Sequence, residues 1–129
     1  MAPQPDFTLL YVDSPQKSEA FYSALLGRAA VESSPTFALF VTDAGLKLGM
    51  WARHLVEPAP SVPAGGAEIV VPVEKPADVD MTHASWKTRG LRIVQDPTDM
   101  DFGRTFVALD PDGHRLRVFA PTAPQGPRS

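Results

Sequence analysis

The chain has 129 residues, 43% of them hydrophobic and 21% charged, with a formal net charge of −3 and no cysteine. That length suits one domain able to bury a core without disulfides or a structural metal. The mild negative charge without a basic block points away from nucleic acid as a partner. The missing thiols exclude disulfides, thiolate metal centres and a cysteine nucleophile.

In chain order, Met1 to Asp6 lacks the basic-then-apolar pattern of a signal peptide, and no apolar run approaches the roughly 18 residues of a membrane helix. The expectation is a cytoplasmic protein with no membrane partner. Phe7 to Val12 reads as a strand by its β-branched and aromatic content. Ser14-Pro15 supplies an N-cap and a first-turn proline; Ala20, Phe21, Ala24 and Leu25 recur at helical spacing, and Gly27 stops the helix. Strands are expected weakly at 29–32, then at 36–42 and 46–51, the last two joined by an Asp43-Ala44-Gly45 turn.

The 14 prolines cluster. Pro58, Pro60 and Pro63 mark an extended linker over 55–66 that separates a first module (6–54) from a second (67–121). The second module repeats the order of the first. A strand covers 68–73 and a helix runs from Pro76 to about Thr88, with Val79, His83 and Trp86 on one stripe and Gly90 as its stop. A short strand follows over 91–95. Strands at 105–109 and 114–119 then flank the turn Asp110-Pro-Asp-Gly113. The tail from Thr122 is expected to be disordered.

Three stretches carry a resemblance. Val12 to Gly27 holds a Ser-x-x-Phe-Tyr…Leu-Gly helix pattern, Asp78 to Gly90 resembles a second helix, and Phe102 to Gly113 a closing hairpin. Together they resemble the glyoxalase/bleomycin-resistance/dioxygenase (vicinal oxygen chelate) superfamily. The hairpin, with His114 and Arg117-Val118 after it, looks most like the phenazine-resistance branch, which also carries a tryptophan on the strand before the linker. The resemblance implies an α+β fold of two βαβββ modules. Their curved, mostly antiparallel sheets pair into a ligand-holding cup, often in a homodimer with exchanged modules.

Metal-dependent members of that family place four ligands in the cup. By the motif spacing these positions are Phe7, Gly49, Glu68 and Arg117, of which Glu68 alone can bind a metal. A fixed cation at Arg117 would oppose a divalent ion. The expectation is no metal and no cofactor. Glu68 and Arg117 are read either as a structural ion pair or as groups orienting a polar ligand, with Arg117 suited to a carboxylate.

Strand alternation places Leu9 and Tyr11 beside Phe7, Trp51 beside Gly49, Val70 and Pro72 beside Glu68, and Arg115 and Phe119 beside Arg117. The expected ligand-binding set is Phe7, Tyr11, Gly49, Trp51, Glu68, Arg117 and Phe119. Its rings suit a flat aromatic molecule, with Gly49 leaving room at the floor; equally, the rings can be ordinary core. His83 reads as a partly buried helix residue, His114 as a turn residue, and Asp96, Asp99 and Asp101 as a solvated acidic loop with Arg104 as its anchor or a rim contact. No Gly-x-Ser-x-Gly, phosphate loop or dinucleotide fingerprint is present.

The leading expectation is therefore a non-enzymatic protein that sequesters an aromatic small molecule, such as a phenazine or another antibiotic. Its rivals are a metal-dependent isomerase, dioxygenase or thiol transferase of the same superfamily, metal-free catalysis with Glu68 as base, and a cup filled by its own side chains.

Overall fold

The computed structural model describes residues 2–122. The tail expected to be disordered lies outside them from residue 123 onward. The chain divides between Pro63 and Ala64 into two compact units.

The first unit runs β1 (Phe7–Val12), α1 (Pro15–Leu26), β2 (Glu32–Ser33), β3 (Phe37–Val41) and β4 (Lys47–Ala52), in the sheet order β1-β4-β3-β2. β1 pairs parallel to β4, and the other neighbours are antiparallel. A parallel pair needs a long crossover, which α1, β2 and β3 provide. Ser14 caps α1 by accepting from the Lys17 backbone N–H at 3.2 Å, Pro15 occupies the first turn, and Gly27 ends the helix in the left-handed region at φ 66°. The helix covers one face of the sheet, where Leu10, Val12, Ala38, Phe40, Leu48 and Met50 are buried.

Two expectations need correction here. The inward line of α1 is Pro15, Ser18 and Tyr22, whereas Ala20 and Ala24 are exposed. Turning Tyr22 inward, 6.5 Å from the Phe40 ring, hides far more apolar surface than an alanine can. The weak strand expected at 29–32 lies at Glu32–Ser33, where pairing with Leu39 and Ala38 fixes it.

The second unit repeats the plan: β5 (Glu68–Pro72), α2 (Pro76–Thr88), β6 (Arg92–Met100), β7 (Gly103–Leu109) and β8 (Arg115–Pro121), ordered β5-β8-β7-β6. The repeat extends to the parallel register. Phe7↔Lys47, Leu9↔Gly49 and Tyr11↔Trp51 in the first unit match Glu68↔Arg115, Val70↔Arg117 and Pro72↔Phe119 in the second. The Asp78 carboxylate accepts from the Lys75 backbone N–H at 3.1 Å and closes the start of α2. Beneath the helix, Val79 and Trp86 pack on Phe106, Ala108, Leu116 and Val118, with the Trp86 and Phe106 rings edge to face at 5.3 Å. The Asp110 side chain accepts from the backbone N–H groups of Asp112 (2.8 Å) and His114 (2.9 Å), which sets the β7–β8 turn.

The acidic run is not a loop. β6 is longer than the expected 91–95 strand and takes in Asp96 and Asp99, leaving Asp101 in the turn. Pro97 is tolerated because β6 is an edge strand with register shifts on either side of Gln95. Arg104 holds this edge to the helix. It donates twice to Asp80 of α2 (3.0 and 2.9 Å) and once to Asp99 (3.0 Å), and His83 Nε2 lies 3.3 Å from Asp96 Oδ1. These bonds hold the Asp80 carboxyl below its ordinary range, Arg104 being the main cause. Arg104 is thus an anchor on the helix side of β7. Among the described residues, no helix is long and apolar enough to cross a membrane.

Candidate functional site: two open sheet faces

Each sheet has one face covered by its helix and one face open, and every residue of the expected binding set lies on an open face. On the first sheet the open face carries Phe7, Leu9 and Tyr11 of β1, Gly49 and Trp51 of β4, and Phe37 of β3, which pairs with Trp51. Phe7 is 46% and Leu9 39% exposed, while Tyr11, Phe37 and Trp51 are half-buried. Tyr11 and Trp51 pack edge to face with ring centroids 6.4 Å apart.

Gly49 does not leave an empty floor. A Cβ built there would lie 3.0 Å from Phe37 Cζ, 3.0 Å from Phe7 Cε1 and 3.1 Å from Leu9 Cδ1. The missing side chain lets two rings and a leucine lie down on the backbone, so the space is taken by the protein's own side chains. The result is a ring-rich surface.

The open face of the second sheet is charged at its centre. Arg117 donates through Nε to Glu68 Oε1 (2.7 Å) and through Nη2 to Glu68 Oε2 (2.9 Å), a side-on bidentate pair. Its Nη1 donates to Gln95 Oε1 (3.3 Å) and Thr105 Oγ1 (3.2 Å), and the Thr105 hydroxyl in turn donates a hydrogen bond to the Val118 carbonyl at 2.8 Å. Arg115 Nη2 lies 3.0 Å from Glu68 Oε2. Apolar groups border this cluster: Val70, Pro72, and the Phe102 and Phe119 rings, edge to face at 6.1 Å. The Arg117 guanidinium carbon sits 6.0 Å from the centre of the Phe102 ring, the outer limit of a cation–π contact.

The Arg117 hydrogen bonds, and then the charges of Arg117 and Arg115, hold the Glu68 carboxyl below its ordinary value of 4.5, against the raising effect of burial. Glu68 is therefore an ionised acceptor with both oxygens engaged, a poor arrangement for a general base. The four positions expected from the family resemblance to face a metal hold a phenyl ring and a glycine on the first unit, and a guanidinium and this engaged carboxylate on the second. That donor set does not fit a divalent ion. Among the described residues, no three His, Asp or Glu side chains are grouped to hold one.

Phe37, Gln95, Thr105 and Phe102 were absent from the expected set. Phe37 was within reach, since parity counted back through the Asp43–Gly45 turn puts it opposite Trp51. Thr105 was within reach in the same way, since the regular β7–β8 hairpin sets it opposite Phe119 on the face of Arg117, whereas Gln95 carried no such signal, because its meeting with Arg117 depends on the irregular β6–β7 register.

The sequence profile of the Glyoxalase/Bleomycin resistance protein/Dioxygenase superfamily matches residues 4–118. The chain belongs to that superfamily. It is 29% identical over 117 residues to the phenazine antibiotic resistance protein EhpR of Enterobacter agglomerans, covering 88% of this chain and 89% of that protein. The solution structure of protein ATC0852 from Agrobacterium tumefaciens is 56% identical, with a TM-score of 0.88 over 95% of this chain and 100% of that one. A glyoxalase/bleomycin resistance protein/dioxygenase crystal structure from Nocardioides shares the fold at 23% identity, with a TM-score of 0.82 over 98% of this chain and 89% of that one. The chain is thus a superfamily member with a distant antibiotic-resistance relative.

Proposed function

We propose that this protein binds a flat aromatic small molecule without a metal, and that sequestration of a phenazine-like antibiotic is its role. The observation that carries this reading is the first sheet's open face, where Phe7, Phe37 and Leu9 close over Gly49 and Tyr11 packs against Trp51 on the same face. Offset stacking on such rings recognises a planar molecule by shape and needs few directed bonds. Likeness to a phenazine resistance protein points the same way. Binding alone lowers the free concentration of a toxic compound, so the role requires no bond to be made or broken. Glu68, Arg117 and Phe119 belong to the second unit's own open face, where apolar side chains border the charged pair. Family membership supports a homodimer, to be checked by light scattering, and a cytoplasmic location suits capture of a drug at its targets.

Fluorescence titration with phenazine tests the proposal. The protein has two tryptophans. Trp86 is 7% exposed on the inner face of α2, so quenching by a ligand on the open face reports Trp51. Saturable quenching is expected. Calorimetry on Trp51→Ala should show affinity about tenfold weaker, the equivalent of one lost ring contact of roughly 1.4 kcal/mol. Unaltered affinity in Trp51→Ala, or no binding by any planar heteroaromatic, overturns the proposal.

A further inference from the structure

One carboxylate on the second sheet serves two guanidiniums. Glu68 pairs with both Arg117 and Arg115, so the cluster carries one positive charge without a paired counterion among the described residues. The two arginines are not equivalent. Arg117 is held by Glu68, Gln95 and Thr105 together, and its side chain is 18% exposed. Arg115 has a single contact with Glu68, its side chain is 39% exposed, and its Nε is buried with no hydrogen-bond partner. A buried N–H on a charged group that lacks an acceptor is costly, and native structures seldom leave one without a reason. Beside the cluster lie the Phe102 and Phe119 rings, Phe102 being 43% exposed.

We infer that this face is a carboxylate-recognition site, in which Arg115 receives the acid group of an aromatic acid while its ring packs against Phe102 and Phe119. Arg117 and Glu68 form the fixed part of the site, since each orients the other. Arg115, held by its one contact to Glu68, is the receiver. A small turn of its exposed guanidinium presents Nε–H and a terminal N–H side by side, the fork that matches a carboxylate. The incoming group supplies both the missing acceptor and the missing negative charge.

This inference rests on the reading that the open faces hold planar aromatics, and the experiment separates the two. Calorimetry at about 50 mM salt, where screening is weak, compares phenazine-1-carboxylate with phenazine-1-carboxamide on wild type and Arg115→Gln. The expected wild-type preference for the acid is at least about tenfold, a typical effect of one charge-assisted fork. In Arg115→Gln the preference collapses towards unity because the acid loses far more affinity than the amide, and a cooperative thermal melt shows that the variant is folded. Equal affinity for acid and amide in wild type overturns the carboxylate site and leaves aromatic binding standing. A preference that survives in Arg115→Gln overturns the assignment to Arg115. Failure of both probes to bind overturns the site and the proposed function together.

Discussion

Replacing Glu68 with glutamine tests the electrostatic account of the second open face. The substitution keeps the shape and one carbonyl acceptor, but it removes the charge and turns an amide N–H₂ towards a guanidinium. Two hydrogen bonds from Arg117 (2.7 and 2.9 Å) and the Arg115 contact at 3.0 Å depend on that carboxylate. A buried charge-assisted bond is worth roughly 1.5–3 kcal/mol, but this cluster is partly wet, and solvent screening reduces the figure. The expected loss is about 1–2 kcal/mol at pH 7, or about 4–8 °C in Tm for a chain of this size. The pH dependence fixes the cause. The Glu68 carboxyl is held below its ordinary value of 4.5, so its stabilisation is present in full above that value and is lost as pH falls through the lower folded-state value. Urea denaturation of wild type and Glu68→Gln from pH 7 to pH 3 should show a stability gap that is constant near neutrality and closes in acid. A gap that persists unchanged at pH 3, or no gap at pH 7, refutes an ionised Glu68 held by two arginines.

Three further outcomes are expected. Gly103→Ala should cost about 3 kcal/mol or more, because its φ of 143° is a glycine conformation and a Cβ would sit 2.0 Å from the Ala120 carbonyl oxygen across the β7–β8 ladder; denaturant melts measure it, and a loss under about 1 kcal/mol would contradict the pairing. Gly49→Leu should abolish phenazine quenching by driving Phe7, Phe37 and Leu9 off the sheet, while circular dichroism shows the helices retained. Zinc, manganese or EDTA should leave Tm unchanged, since the four ligand positions offer one engaged carboxylate; a genuine site at 100-fold saturation would add about 2.7 kcal/mol.

Local chemistry made much of the fold legible. Ser14-Pro15, Gly27, the Asp43–Gly45 turn and Asp110–Gly113 each act over a few residues, and each punctuates the structure where expected. Where local signals are weak, the expectations drifted. Nothing between Gln95 and Phe102 announces that an edge strand continues through a proline to Met100, and two alanines outvoted Tyr22 in the periodicity of α1 although Tyr22 buries the larger surface.

The sequence by itself determined the order of elements, the repeat, and which residues share a face, because caps, turns and the two-residue strand period are short-range properties. It also showed that Phe7, Gly49 and Arg117 cannot ligate a metal, which is a matter of residue chemistry. Only the tertiary structure decided what those faces do. The rings that close over Gly49, and the meeting of Arg115, Arg117, Gln95 and Thr105 around Glu68, come from residues up to 49 positions apart. Their coincidence follows from the register of β1 and β3 on β4, of β5 on β8 and of β7 on its neighbours. Long-range pairing sets that register, and no stretch of the chain encodes it alone.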